Sequence, residues 1–290
     1  MRLSKTLFFA TLLASALSAC ARKEQAPSTS GAAASASTAA TPAGPKVVTV
    51  HAKDFSYDAP AEIDAGLTTF KLVNDGTMFH HLVIVKLDSA KTVADLQQAM
   101  KNPGPPPRWA AFIGGPNAPD PTKESNATLD MQPGSYAMLC LVDVPGGVPH
   151  FAKGMVHALT VKPSSGASAQ APSADVNISL KDYSFDISKP ITAGSHTFAV
   201  NNAGMQPHEV EVIKLAPGKK IDDVVKWIQK PEGPPPGSGV GGAIVGMTGA
   251  PLFFTMDFTP GEYALICFIP DAKDGKPHFV HGMMHTFTVS

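Results

Sequence analysis

The sequence predicts an all-β protein made of two tandem Greek-key β-sandwich domains, each with one inserted short helix and a Pro-rich loop. Two observations predict this. The chain after residue 46 is one unit written twice, and each copy contains short runs of Val, Thr, Leu and aromatic residues between turn-forming residues. Regular short strands punctuated by Gly and Pro are typical of antiparallel sandwiches.

The duplication is visible as motifs that return at an offset of 127 or 128 residues. KDFSYD at 53–58 returns as KDYSFD at 181–186, and HHLVIVKL at 80–87 returns as HEVEVIKL at 208–215. PGSYAMLC at 133–140 returns as PGEYALIC at 260–267, and the segment 149–161, with PHF and GMVHALTV, returns at 277–289 with PHF and GMMHTFTV. Two tandem domains from an internal duplication therefore explain the chain.

Each copy yields the same predicted elements. Strands are predicted at VVTVHAKDFSYD, TTFKLVND, HLVIVKL, ATLDM, SYAMLCLV and ALTV of the first copy and at their counterparts in the second. A helix is predicted after the central strand from apolar spacing at Ile221, Val224, Val225 and Ile228, and more weakly at Val93, Leu96 and Met100. Pro-rich segments follow these helices at 105–107 and 234–236.

Two low-complexity segments set the predicted domain boundaries. Residues 21–46, rich in Ala, Ser and Thr, predict a disordered tether, because such residues bury too little surface to offset the entropy of ordering. Residues 163–174 have the same character and predict a linker. The predicted domains therefore span 47–162 and 175–290.

Composition limits the class of protein. Hydrophobic residues make up 43% of the 290 residues, which is sufficient for a core and excludes wholesale disorder. The formal net charge of −1 gives no electrostatic reason to expect nucleic acid as a partner. The chain has only 3 cysteines, too few for a disulfide framework, so each needs another explanation.

The first cysteine ends an export signal. Residues 1–20 have a basic start, a short apolar run and small residues before Cys20. The segment Leu17-Ser18-Ala19-Cys20 resembles the lipobox of bacterial lipoprotein signals, which implies that Cys20 carries a lipid and becomes the mature N-terminus. We therefore expect an exported protein, periplasmic or extracellular, held to the membrane by that lipid. An ordinary cleaved signal with an incidental Cys20 is the alternative.

The other two cysteines belong to a pattern that both copies share: two His, one Cys and one Met in the same order. The residues are His80, Cys140, His150 and Met155 in the first copy and His208, Cys267, His278 and Met283 in the second. A thiolate with two imidazoles and a weak axial thioether is the ligand set of a blue-copper site, so the pattern predicts one copper ion per domain. Core cysteines, packing methionines and a disulfide between the two cysteines are the alternatives.

Both copies resemble cupredoxin domains, the family of plastocyanin, azurin and the copper domains of nitrite reductases. The resemblance rests on the ligand order and on the Pro-Gly-x-Tyr approach to each cysteine, and it covers essentially the whole chain after residue 46. The loops from Cys140 to His150 and from Cys267 to His278 are longer than in the small electron carriers and closer to those of nitrite reductases.

The resemblance implies a one-electron carrier with a transient redox partner. It places His150 and His278 near the surface, with an apolar docking patch of Val148, Phe151, Phe279 and Val280 around them. His157 and His285, two residues beyond each Met, are interpreted as groups beside the metal site or as structural groups.

Three other functions stay open. The same ligands would serve copper sequestration or delivery, and a metal-free interaction module would keep only the fold. A two-domain copper oxidase or nitrite reductase is less favoured, because the sequence has no His-x-His motif and no His beside Cys140 or Cys267. We therefore expect a protein that is not an enzyme.

Overall fold

A computed structural model describes residues 44–101, 106–166 and 168–290. The predicted export signal, Cys20 and nearly all of the predicted tether lie outside the described residues, as does part of the first Pro-rich loop. Within the described ranges, neither helix has the length and hydropathy that a membrane span requires.

The first repeat contains eleven strands and one helix. The elements are β1 (Lys46–Lys53), β2 (Ser56–Asp58), β3 (Glu62–Asp64), β4 (Gly66–Asn74), β5 (Val83–Leu87), α1 (Val93–Ala99), β6 (Ala110–Pro116), β7 (Glu124–Met131), β8 (Gly134–Leu139), β9 (Asp143–Val144), β10 (Val148–Pro149) and β11 (Val156–Lys162). A single 3-10 turn, His150–Lys153, lies between the last two strands.

The second repeat follows the same plan with fewer strands. The elements are β12 (Val176–Lys181), β13 (Ser184–Ile187), β14 (Gly194–Asn202), β15 (His208–Leu215), α2 (Ile221–Gln229), β16 (Gly237–Val245), β17 (Leu252–Phe258), β18 (Gly261–Ile266) and β19 (Met284–Val289). A 3-10 turn, His278–His281, again precedes the last strand. The predicted all-β class, with one short helix in each repeat, is confirmed.

Both large sheets contain strands of both repeats. One runs in the order β13-β12-β14-β17-β7-β4-β1-β2 and the other in the order β19-β18-β15-β16-β6-β5-β8-β11-β3. The repeats meet where β6 pairs with β16, with Pro116 opposite Ala243, and where β7 pairs with β17, with Thr128 opposite Phe253. This edge-to-edge pairing covers strand edges that would be open in two separate sandwiches.

The core lies between the two sheets and extends through both repeats. Successive side chains of β5 point to opposite faces of the sheet. Ile84 belongs to the shared core, whereas Val83 and Val85 face a second cluster that includes Leu96 of α1. Val224 of α2 belongs to an equivalent cluster in the second repeat. Each helix therefore packs on the outer face of the second sheet, as its apolar spacing predicts.

Candidate metal centres

In the first repeat the fold brings together His80, Cys140 and His150. His80 lies just before β5, Cys140 just after β8, and His150 opens the 3-10 turn. Nδ1 of His80 is 3.1 Å from Nδ1 of His150, and Sγ of Cys140 is 3.5 Å from that same His150 nitrogen. All three side chains are fully buried.

The second repeat reproduces this arrangement with His208, Cys267 and His278. The two Nδ1 atoms are 3.1 Å apart, and Sγ of Cys267 is 3.3 Å from Nδ1 of His278. These side chains are also fully buried. In each repeat the three donor atoms lie within 4.8 Å of one another.

Main-chain hydrogen bonds tie each methionine to its cysteine and histidine. Met155 donates its amide to the His150 carbonyl at 3.0 Å and accepts from the Cys140 amide at 3.3 Å. Gly154 allows the chain to turn back so that Met155 can make these bonds, because its φ of 106° is a conformation that glycine adopts readily. The second repeat has the same bonds at Met283, and both methionine side chains are fully buried.

A carboxylate orients the first histidine of each pair. Nε2 of His80 is 2.9 Å from Oδ1 of Asp54, and Nε2 of His208 is 2.8 Å from Oδ1 of Asp182. Hydrogen bonds from Thr77 and then from His80 lower the pKa of Asp54 to about 2. An ionised carboxylate only accepts, so the imidazole proton lies on Nε2 and the lone pair of Nδ1 is directed toward the other donors.

Sequence reasoning missed these two aspartates. Asp54 and Asp182 lie in the repeated motifs KDFSYD and KDYSFD, and the return of the same acidic residue at an offset of 128 was the available signal. Gly76 completes the contact, since a Cβ at this position would lie 2.5 Å from both Nε2 of His80 and Oδ1 of Asp54. Gly204 has the same role beside His208.

Burial favours the neutral form of the second histidine and of the cysteine in each repeat of the metal-free chain. It lowers the pKa of His150 and of His278 to about 4, with a further contribution from the neighbouring imidazole. Burial also raises the pKa of the Cys140 thiol to about 12 and that of Cys267 in the same direction. At neutral pH the His150 and His278 imidazoles therefore offer lone pairs, and a metal ion that binds the sulfur would displace the thiol proton.

The donor sets fit a copper ion. A thiolate and two imidazoles are the donors that copper takes in trigonal sites, and the buried cysteines are free. Nε2 of His150 and of His278 is buried without a hydrogen-bond partner among the described residues. No hydrogen bond at Nε2 therefore competes with the orientation of each ring in which Nδ1 would bind the metal. The disulfide alternative is wrong, because neither Cys140 nor Cys267 is bonded.

The second histidines, which were expected near the surface, are covered by other side chains. His150 and His278 are fully buried, and the rings of Phe55 and Tyr183 pack edge-on against them at 5.3 and 5.4 Å. These aromatic rings belong to the β1–β2 and β12–β13 turns. The spacing between cysteine and histidine in the sequence therefore could not predict that they cover the histidines.

Only half of the expected docking patch is exposed. Val148 is 43% and Val280 is 51% exposed, whereas Phe151 and Phe279 are 7% and 6% exposed. Each phenylalanine packs instead into the cluster beneath its own helix. Of the four residues expected in this patch, one exposed valine therefore remains beside each centre.

His157 and His285 have partners other than the donor groups. Nε2 of the half-buried His157 is 3.3 Å from the Pro60 carbonyl oxygen. The exposed His285 stacks on Phe287. Among the described contacts, neither ring has a hydrogen bond to a donor residue.

Among the described residues, a third group of clustered His and Asp side chains occurs in the second repeat. Donor atoms of Asp271, Asp274 and His281 lie within 4.8 Å of one another. Asp271 already accepts hydrogen bonds from the Tyr183 hydroxyl, at 2.5 Å, and from Gln206, at 2.7 Å. These bonds hold the pKa of Asp271 well below its usual range. We assign this group to stabilisation of the loop between Cys267 and His278.

No protein-family model and no curated relative matches the chain. Among solved structures, it is similar to the reduced auracyanin of Roseiflexus castenholzii, with 22% identity over 42% of this chain and 100% of that one and a TM-score of 0.30. It is similar to auracyanin A, a "blue" copper protein of Chloroflexus aurantiacus, with 21% identity over 41% and 100% of the two chains and a TM-score of 0.30.

A third similarity spans both repeats. The blue copper oxidase of Nitrosomonas europaea is 15% identical over 83% of this chain and 85% of that one, with a TM-score of 0.26. At such identities and TM-scores, these likenesses say nothing about the activity of this chain. The described residues themselves form a duplicated β-sandwich in which each repeat buries a His–Cys–His group with donor atoms that fit a type 1 copper ion.

Proposed function

We propose that this protein is an exported, lipid-anchored copper protein that carries single electrons through two type 1-like copper centres. The observation that carries the proposal is the pair of buried His–Cys–His groups, with equal Nδ1–Nδ1 separations of 3.1 Å in both repeats. A free thiol at the end of a strand is an ordinary core residue, but two imidazole nitrogens turned toward each buried thiol are not required for packing.

Copper supplies a one-electron couple when it is bound by a thiolate and imidazoles. The chain contributes rigidity. The Asp54 and Asp182 carboxylates fix the first imidazoles, and the main-chain bonds around Met155 and Met283 fix the cysteine and the second imidazole. Donors held in this way resist rearrangement, which favours fast electron exchange over ligand replacement.

A transient redox partner would approach over Val148 or Val280. Both valines are exposed and lie within two residues of the second histidine of their repeat. A small apolar contact of this kind suits a weak, short-lived encounter.

Copper sequestration is the second candidate, and a specific observation favours it. His150 and His278 are fully buried against Phe55 and Tyr183, and the first histidine of each pair is fully buried as well, so none of the four donor imidazoles reaches the solvent. Slow electron exchange by a copper-loaded chain would support storage over transport.

The test is a titration of the purified full-length chain with Cu(II), followed by its visible spectrum. We expect two copper ions per chain and an intense thiolate-to-copper absorption. Cys140→Ser and Cys267→Ser, made singly, are each expected to lose one copper ion and about half of the absorption. Zn(II), which takes the same donors without this absorption, is the control for the choice of metal.

Three outcomes would contradict parts of the proposal. A chain that gains no thiolate absorption is not a type 1-like copper protein. Turnover of nitrite or phenols by the copper-loaded chain would make it an enzyme. Release of a Cys20→Ser variant from the membrane fraction is expected, and its retention would show that lipid on this cysteine is not the anchor.

A further inference from the structure

Asn117 occupies a fixed position at the seam between the two repeats. It follows the last residue of β6 and is 3% exposed. Its amide donates to the Gly242 carbonyl at 3.0 Å, its carbonyl accepts from Ser125 Oγ at 2.6 Å, and its Oδ1 accepts from the Ala118 amide at 2.9 Å. The remaining side-chain group, Nδ2, is therefore held in one direction.

That group crosses into the second repeat. Nδ2 of Asn117 donates to Oε2 of Glu209 at 3.0 Å, and Glu209 is itself only 5% exposed. Oε1 of Glu209 accepts from the amide of Phe268 at 2.7 Å, and the Glu209 amide points at Sγ of Cys267 at 3.4 Å. Phe268 directly follows Cys267, so a side chain of the first repeat restrains the cysteine of the second through one carboxylate.

The first repeat has no such dependence. His81 stands where the second repeat has Glu209, and its Nε2 accepts from the amide of Leu141, directly after Cys140, at 2.6 Å. The residue equivalent to Asn117 at an offset of 127 is Ile244, an apolar side chain that packs into the cluster beneath α1. The polar bridge across the seam therefore serves one centre.

We propose that Asn117 is a positioning residue for the metal centre of the second repeat, acting through Glu209 on the backbone that follows Cys267. The effect on a copper site rests on the proposed function above. The restraint on the Cys267 backbone is a property of the chain without metal, so the two claims are tested separately.

The first test uses amide hydrogen exchange of the metal-free full-length chain. In Asn117→Ala, Glu209 loses the donor that fixes its carboxylate, so we expect the Phe268 amide to exchange about 5- to 10-fold faster. The Leu141 amide, held by His81, is expected to keep its wild-type rate. Unchanged exchange at Phe268, or equal acceleration at both amides, would overturn the proposal.

A matched control exists on the other shared sheet. Asn126 also bridges the repeats, with Nδ2 donating to the Thr255 carbonyl at 2.7 Å and Oδ1 accepting from the Thr255 amide at 2.9 Å. Asn126→Ala removes a seam bond of the same type without touching Glu209. We expect no change at Phe268, and a change equal to that in Asn117→Ala would mean that the seam acts as a whole.

The second test reads the copper centres one at a time. In a Cys140→Ser background, which leaves only the second centre, Asn117→Ala is expected to shift the thiolate absorption and to speed copper release about 10-fold. In a Cys267→Ser background, which leaves the first centre, both readouts are expected to stay unchanged. Asn117→Leu, which keeps about the size of the side chain and has no group that can donate to Glu209, is expected to reproduce the effect.

The outcomes separate the two claims. If neither background takes up copper, the proposed function fails, and the exchange rate of Phe268 still decides whether Asn117 restrains the cysteine backbone. If copper binds but Asn117→Ala changes both centres or neither, the positioning role is wrong and the proposed function stands.

Discussion

The two centres hold their donor atoms alike and support them differently. The Nδ1–Nδ1 distance is 3.1 Å in both, and the Sγ–Nδ1 distances are 3.5 and 3.3 Å. Outside these atoms the repeats diverge. The amide after the cysteine is held by an imidazole in the first and by a carboxylate in the second. The repeated motifs thus set the donor geometry, and residues that differ between the copies set its surroundings.

The loops from cysteine to histidine differ as well. The first contains the short β9–β10 hairpin with Gly146 and Gly147. The second has Asp271, which accepts from Tyr183 and Gln206 and lies 4.0 Å from Nε2 of His278. Backbone hydrogen bonds shape both loops, and the second loop adds a network of side-chain hydrogen bonds.

The largest effect is expected where the repeats are most alike, at the glycines of the seam. A Cβ on Gly242 would overlap the Val210 carbonyl oxygen, and one on Gly115 would overlap the Leu82 carbonyl oxygen, each at a positive φ. Gly242→Ala and Gly115→Ala are each expected to lower the free energy of unfolding by about 3 to 4 kcal/mol. Denaturant unfolding of the metal-free chain measures this.

Gly66→Ala separates the clash from the backbone strain. Gly66 has a φ of 118°, but a Cβ added there would have no neighbouring atom within 4 Å, so this variant is expected to lose only about 1 kcal/mol. A loss at Gly242 no larger than that at Gly66 would show that β16 does not approach β15 as closely as their pairing indicates.

The next effect concerns the carboxylates that orient the first histidines. Asp54→Asn and Asp182→Asn keep the size of the side chain and remove its charge, so each is expected to lower the copper affinity of its own centre about 10- to 100-fold. Competition with a chelator measures this in the Cys267→Ser and Cys140→Ser backgrounds, respectively. Equal losses are expected, because the contacts are 2.9 and 2.8 Å.

A loss of copper affinity in only one repeat would show that the carboxylates of the two centres are not equivalent. A suitable control is Asp75→Asn, since Asp75 pairs with the exposed His51 at 2.8 Å and not with a donor residue. Its copper affinity is expected to match that of the unsubstituted background.

These aspartates show what repetition in a sequence can predict. The order of strands, the helices and the eight residues His80, Cys140, His150, Met155, His208, Cys267, His278 and Met283 follow from motifs that occur twice. Comparing the two repeats could also have identified Asp54 and Asp182. It could not have identified Asn117 and Glu209, because a different residue stands at each of these positions in the other repeat. Their contact also depends on the pairing of β6 with β16.

The burial of the second histidines could not be predicted from the sequence for a similar reason. Phe55 and Tyr183 cover His150 and His278 from turns far away in the chain, so local spacing carries no sign of them. The sharing of both sheets between the repeats is also a tertiary property, since strand patterns do not tell which edges pair.

The smallest expected effect concerns an acidic residue that only the second repeat buries. Glu211 is 6% exposed, and its Oε2 has no hydrogen-bond partner among the described residues, whereas the equivalent residue of the first repeat is Val83. Burial, and then repulsion from Glu209, raises the pKa of Glu211 well above its usual range. The folded chain therefore keeps this proton at a pH where the unfolded chain has released it.

Because the folded state binds the extra proton, the free energy of unfolding is expected to fall as the pH rises above about 4.5. Glu211→Gln removes the part of this dependence that Glu211 contributes, so the variant is expected to be about 1 to 2 kcal/mol more stable than the wild type at pH 8 and no more stable below pH 4. Denaturant unfolding of the metal-free chain at both pH values measures the difference, with the exposed Glu232→Gln as control. An equal gain at both pH values would mean that the amide of the variant makes better hydrogen bonds than the carboxyl group in either protonation state, and that the charge of Glu211 does not distinguish the second repeat from the first.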